Sequence, residues 1–234
     1  MPSRSPTPVL PAAAARPVAA DDPAAPARPR GPARRVALLE ATLALLAEHG
    51  ADALTHRRVA EHAGLPLAST TYWFDSKEHL LTEALRYAAE RDAARLRSAA
   101  ESLITRCEQE DSAPTASEIV AVVLDPCHEE SRSPDPRAAE RAALLATYAL
   151  MLEAARRPAL QALSLDWSDA YRETVGELLR RAGSGRAADD ARILMAAADG
   201  LLIDRLASGT EGDLDPRAEL EHLTHALLTA GAPR

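Results

Sequence analysis

Only seven of the 234 side chains are aromatic and only two are cysteine. Cys107 and Cys127 cannot form the disulfide framework of small secreted domains, and they suit a reducing cytoplasm. No apolar run approaches the roughly eighteen residues of a membrane span, and the N-terminus has no continuous hydrophobic core of a signal peptide, so no membrane association is expected. β-Branched residues are scarce outside a few spots. Glycine and proline cluster at segment edges, and alanine, leucine and arginine recur throughout. This composition predicts an all-α protein, long enough for one or two domains with a buried core. There is no Gly-x-Ser-x-Gly elbow, P-loop or Gly-x-Gly-x-x-Gly, so neither enzymatic activity nor a cofactor is expected.

Positive charge is also short overall, with a net of −8. Residues 1–80 carry nine Lys+Arg against eight Asp+Glu, whereas the remainder carries eighteen against twenty-seven. A near-neutral head on an acidic body can bind DNA when its cations face one way, while the body keeps non-specific binding weak. This favours a specific regulator over a DNA-coating protein.

Three of the seven aromatics stand together as Tyr72-Trp73-Phe74, after a run with helix-turn-helix spacing. Thr55 caps a helix of about eight residues, Val59 and Ala60 give it an apolar face, and Gly64 lets the chain turn. Leu65 re-enters the core, and a short helix over Leu67–Trp73 is rich in small hydroxyl residues. Such a helix can sit deep in a major groove and still reach base edges. Leu67, Ser69 and Thr70 are the candidates to face bases. Phe74 is expected in the core, Tyr72 at phosphate, and Trp73 at either.

Around this motif, residues 1–30 form a Pro/Ala-rich arm expected to be disordered. Its Arg28 and Arg30 are candidates for the minor groove, against the plainer reading of a solvated linker. Residues 31–80 form the expected DNA-binding domain. Its first helix runs from Pro32 to Gly50, with Val36, Leu39, Leu43 and Leu46 on one face. Residues 81–234 form an expected helical bundle. Asp75 or Ser76 caps a helix from Lys77 past Arg97, and a short helix covers Ile119–Leu124. Longer helices run from Arg137 to before Pro158, from Leu160 to the Gly183-Ser-Gly185 break, over Ala191–Leu206 and over Ala218–Ala230. Cys127-His128-Glu129-Glu130 and the pair His222 and His225 carry metal-ligand types without a closed zinc pattern, so no metal site is expected.

The stretch from about 34 to 85 resembles the TetR family of one-component bacterial regulators. Leu54-Thr55, Val59-Ala60, Ala63-Gly64-Leu65, Tyr72, Phe74, Lys77-Glu78 and Leu80-Leu81 carry the resemblance. Asp199-Gly200-Leu201 is a weaker echo of the dimerisation helix of many members. Pro66 and Ala68 depart from the usual Ser/Thr and Gly. The resemblance implies an N-terminal helix-turn-helix domain of three helices and a C-terminal helical bundle for ligand binding and dimerisation. It further implies a homodimer on a palindromic double-stranded operator, with Thr55, Arg57, Tyr72 and Lys77 at the DNA backbone. A small-molecule effector is expected in a mostly apolar pocket, for which spacing nominates Leu124, Leu144, Tyr148, Met151 and Trp167. Trp167 and Tyr171 could equally meet the partner subunit. The helices around 160–181 and 190–207 are the dimerisation candidates, because Ala191, Ala198 and Gly200 would allow close approach. The leading expectation is a ligand-responsive repressor. An activator or ligand-independent regulator of the same fold, or a dimeric adaptor with a vestigial helix-turn-helix, are the alternatives.

Overall fold

The computed structural model describes residues 31–124, 135–208 and 216–230, and these are helical without a strand. The N-terminal helices are α1 (Pro32–His49), α2 (His56–His62) and α3 (Leu67–Trp73), with a 3₁₀ turn over Ala51–Ala53. They are followed by α4 (Lys77–Gln109), α5 (Ala116–Leu124), α6 (Pro136–Arg156), α7 (Pro158–Arg181), α8 (Ala187–Ser208) and α9 (Pro216–Ala230). At 33 residues, α4 is about 50 Å long.

Local chemistry sets most boundaries. Gly50 takes φ 71 and its N–H closes α1 on the Leu46 carbonyl at 3.0 Å. Thr55 caps α2, its hydroxyl accepting from the Arg58 N–H at 3.2 Å. Ser76, rather than Asp75, caps α4 by accepting from the His79 N–H at 3.0 Å. Arg157 is extended (φ −125, ψ 107) because Pro158 disfavours a helical residue before it, and this separates α6 from α7.

Two helices, α5 and α8, start three or four residues earlier than the apolar pattern predicts. Helix α5 begins at Ala116 because Thr115 and Glu118 form a reciprocal capping box. The Glu118 N–H reaches the Thr115 hydroxyl at 3.3 Å, and the Thr115 N–H reaches the Glu118 carboxylate at 2.8 Å. Before α8, the Ser184 hydroxyl accepts from the Arg186 N–H at 3.1 Å and donates to the fully buried Asp190 at 2.6 Å.

Two apolar clusters organise the described chain. The first gathers α1, Val59, Leu65, Phe74 and the front of α4 with Leu150, Ala154, Leu160 and Trp167 of α6 and α7. The second joins the back of α4 to α5, α7, α8 and α9 through Leu96, Ile119, Val175, Leu178, Leu194 and Leu220. Tyr171 packs against both.

Two expectations about faces need correcting. Val36, placed on the apolar stripe of α1, is exposed, whereas Leu38 and Leu45 are buried with Leu39, Leu43 and Leu46. Ala191 and Ala198 point into the chain's own core, so their small size serves packing within the subunit. The outward face of α8 carries Ile193, Gly200, Ile203 and Ala207 instead.

Candidate DNA-contacting surface and effector cavity

The turn between α2 and α3 needs a left-handed residue, and Gly64 supplies it at φ 63. Its N–H reaches the Glu61 carbonyl at 3.1 Å, while the Leu65 N–H reaches back to the Ala60 carbonyl at 2.9 Å. This pair of bonds satisfies the end of α2 and aims the chain into α3. Pro66 precedes α3 at φ −61 with no side-chain cap, as its ring dictates.

Helix α3 divides cleanly. Leu67 is 49% exposed and Tyr72 77% exposed, with Ala68 and Thr71 exposed beside them and Ser69 half-buried. Thr70 does not join them. It is completely buried, and its hydroxyl lies within hydrogen-bond distance of the carbonyls of Leu67 (2.8 Å) and His56 (3.2 Å). It therefore ties α3 to α2 and has no surface to offer a base. Thr71, which sequence reasoning passed over, is the threonine on the exposed face; its hydroxyl makes a 3.4 Å contact with the Ala68 carbonyl. The helical period carried the signal, because Thr70 lies four residues before the core residue Phe74 and shares its face.

Phe74 is 1% exposed in the N-terminal cluster, while Trp73 is half-buried against that cluster and meets the Tyr72 ring edge-on at 5.1 Å. Lys77, the one lysine of the chain, opens α4 and is partly exposed. Thr55 is exposed, and its hydroxyl, while accepting from Arg58, can still donate. Arg57 is 80% exposed and paired with Glu61 at 2.8 Å, which raises its already high pKa through that hydrogen bond and the adjacent charge. Arg28, Arg30 and the Cys127-His128-Glu129-Glu130 run lie outside the described residues. His222 and His225 are exposed on α9.

A cavity of about 190 Å³ opens between α4, α6, α7 and α8, with the end of α5 on one wall. Leu124, Leu144, Tyr148, Met151 and Trp167 all line it. Tyr171 lines it too, its ring 6.4 Å from that of Trp167 in an edge-on arrangement, so both aromatics lie within the subunit. Sequence reasoning missed the polar lining, above all Arg91, Asp92 and Asp199. A lone acid amid the apolar residues of α8 was the available sign of Asp199. Its carboxylate lies 3.3 Å from the Tyr148 hydroxyl, and burial pushes its pKa up, partly offset by that hydrogen bond.

Contacts run from this cavity to α1. Arg91 Nε meets Asp92 at 3.1 Å, and the Arg91 guanidinium lies 5.7 Å from the Tyr87 ring centroid. The Tyr87 hydroxyl donates to Glu40 of α1 at 3.2 Å. Burial, then the Glu40 charge, raise the Tyr87 pKa. One turn nearer the DNA-binding end, Glu83 of α4 pairs with Arg35 of α1.

Fold and surface together define a helix-turn-helix protein in which α4 runs from beside the exposed helix α3 to the wall of an internal cavity. Residues 38–84 match the family model of bacterial regulatory proteins of the tetR family, and residues 133–230 match that of the tetracyclin repressor-like C-terminal domain. Together they span more than half of the chain, which belongs to the TetR family of transcriptional regulators. Comparison with curated proteins gives no match. Among solved structures, the chain is similar to the TetR-family member SCO1917 from Streptomyces coelicolor A3, at 29% identity over 87% of this chain and 100% of that one, with a TM-score of 0.60. It is also similar to the multidrug binding protein EbrR complexed with imidazole (28% identity, 87% and 97% covered, TM-score 0.56). The ethidium complex of EbrR gives 25% identity, 86% and 99% coverage and a TM-score of 0.56. Among the described residues, no helix is long and apolar enough to cross a membrane.

Proposed function

We propose that this protein is a ligand-responsive repressor that holds a palindromic operator as a cytoplasmic homodimer and releases it on binding a small molecule. The carrying observation is the single helix α4, which begins at Lys77 beside the reading helix and reaches the cavity wall at Arg91 and Asp92. Those points are about 21 Å apart along an unbroken helix. A ligand that pushes the cavity wall must therefore tilt or shift the end that seats α3, or strain the Tyr87–Glu40 contact. Either shift changes the spacing of two reading helices and biases the protein between states of different operator affinity.

Leu67, Ser69 and Thr71 face bases in this reading, while Thr55, Arg57, Tyr72 and Lys77 hold phosphates. Arg57 exchanges Glu61 for a phosphate on docking. Arg28 and Arg30 are assigned to the adjacent minor groove. The exposed apolar face of α8 supports the homodimer, since Ile193 and Ile203 flank Gly200 on a surface that a partner would cover. EbrR, a multidrug binding protein, supports the small-molecule role of the cavity.

The test begins with selection of bound fragments from genomic DNA. The recovered operator is then titrated with protein while candidate small molecules are added. The reading predicts a two-fold symmetric site occupied by a dimer, a reporter silenced by the protein, and release by a cavity ligand. A reporter activated by the protein would assign an activator instead, and DNA binding unmoved by any ligand occupying the cavity would assign a ligand-independent regulator. No bound fragment at all would leave a helical adaptor.

A further inference from the structure

The lining of the α4–α6–α7–α8 cavity holds Arg91, Arg172 and Arg192 together with Asp92 and Asp199, and among the described residues Asp199 has no cation beside it. Three arginines line it, and each has a carboxylate beside it. Arg91 meets Asp92 at 3.1 Å, Arg172 meets Asp169 at 2.9 Å and Arg192 meets Asp189 at 3.6 Å. The latter two arginines have side chains 43% and 66% exposed, which puts these pairs at the rim.

Asp199 differs from the other acids. It is half-buried on the cavity face of α8, and the Tyr148 hydroxyl at 3.3 Å is its side-chain partner. Among the described residues no arginine, lysine or histidine lies within 4.0 Å of its carboxylate. A carboxylate withdrawn from water without a cation is costly, and a bound cation would remove that cost.

The rest of the lining fits the same ligand. Trp167 and Tyr171 line the cavity, and aromatic rings attract a cation as well as an aromatic body. Met151 and Met195 add adaptable, polarisable walls. The volume of about 190 Å³ is below the ~300–1,000 Å³ of common drug pockets, so the ligand is small.

We propose that the effector is a small aromatic amine whose ammonium nitrogen pairs with Asp199 while its ring packs against Trp167 and Tyr171. This rests on reading the cavity as the effector site, and it adds the chemical class that the site selects.

Three probes share an indole body and differ in charge: tryptamine, the neutral alcohol tryptophol, and indole-3-acetate. Calorimetric titration of the full chain without DNA should show tryptamine binding about tenfold or more tighter than tryptophol, with indole-3-acetate weakest. Asp199→Asn, nearly isosteric, should bring tryptamine to within about threefold of tryptophol. Unchanged tryptophol affinity in that variant shows that the cavity is intact. The proposal is overturned if tryptophol or indole-3-acetate binds as well as tryptamine, if the amine preference survives Asp199→Asn, or if none of the three binds. A gel shift on the operator separates the two readings. Equal release by tryptophol would overturn the amine assignment and leave the repressor standing. Tight tryptamine binding that leaves the operator complex intact would uphold the amine and overturn ligand-induced release.

Discussion

The two apolar clusters serve opposite requirements. Around Phe74, the side chains of α1, α2 and the front of α4 pack together, with Leu38, Leu39, Leu80 and Leu81 fully buried. In the second cluster Val123, Leu124, Leu144, Ala198 and Leu202 border the cavity. A domain that must seat a seven-residue helix reproducibly has no use for slack, because any gap lets α3 shift. On the proposed function, a domain that takes up a ligand needs a hollow and forgoes the dispersion contacts that would fill it. The packing around Phe74 and the cavity walls thus differ in kind, although Trp167 of the first cluster also lines the cavity, and α4 runs through both regions.

Truncation is the strongest way to break this comparison. Phe74→Ala should cost about 3–5 kcal/mol in urea unfolding and abolish operator binding, since the surrounding leucines cannot collapse into the space. Leu144→Ala, beside the existing cavity, should cost about 2–3 kcal/mol, at the lower end of such truncations. Equal losses at the two sites would mean that the clusters are packed alike.

Gly64→Ala probes the turn that aims α3. An added Cβ meets nothing within 4 Å, so the cost is purely that of a left-handed backbone, about 1–2 kcal/mol by thermal unfolding. A neutral result would show that the turn relaxes, and that the reading helix is less firmly seated than the packing implies.

Surface substitutions should separate binding from stability. Lys77→Ala should leave the unfolding free energy within about 0.5 kcal/mol, weaken operator binding across sequences and lower the salt slope by about one. Tyr72→Phe should weaken binding less, with no change in slope, because only a neutral hydrogen bond is lost. Unchanged affinity in both variants would remove the phosphate assignments.

The smallest expected effect lies at the start of α5. The Thr115 N–H, the Arg106 guanidinium and the Thr115 hydroxyl together lower the Glu118 pKa from 4.5 to about 2. A depressed folded pKa contributes stability above the unfolded value and loses it as pH falls through the folded one. Glu118→Gln should therefore lower Tm slightly at pH 7, with the difference from the parent shrinking between pH 4.5 and about 2. A constant difference across that range would show that the carboxylate charge contributes nothing.

Much of this architecture can be read before any coordinates. The cap at Thr55, the turn at Gly64, the proline break at Pro158 and the span of α3 depend on neighbours within a few residues. Side-chain orientation beyond a single turn is harder. Thr70 is a small hydroxyl residue like its neighbours in α3; its hydroxyl reaches the Leu67 carbonyl within the helix, and its position under α2 buries it and adds the His56 carbonyl. Ala191 and Ala198 have the size that close helix approach requires, but size does not say whether the approaching helix belongs to the same subunit. Four of the five nominated cavity residues follow from helical spacing, since large side chains on one face of α6 and α7 converge on whatever lies between them, and Leu124 joins them from the end of α5. Sequence reading assigns Asp199 only to the dimerisation-helix echo and not to a cavity, because an acid in a helix is usually solvated, and the helices around it decide otherwise.

Capping, turn chemistry and hydrophobic period act over at most a few residues, so the residue string alone decided the helices, the helix-turn-helix and the reading segment with its aromatic neighbours. Which face of each helix meets which other was left to the assembled bundle, because burial is a property of all helices at once. That assembly put Thr70 inside, set the outward face of α8, and left Asp199 in a hollow with no cation beside it among the described residues.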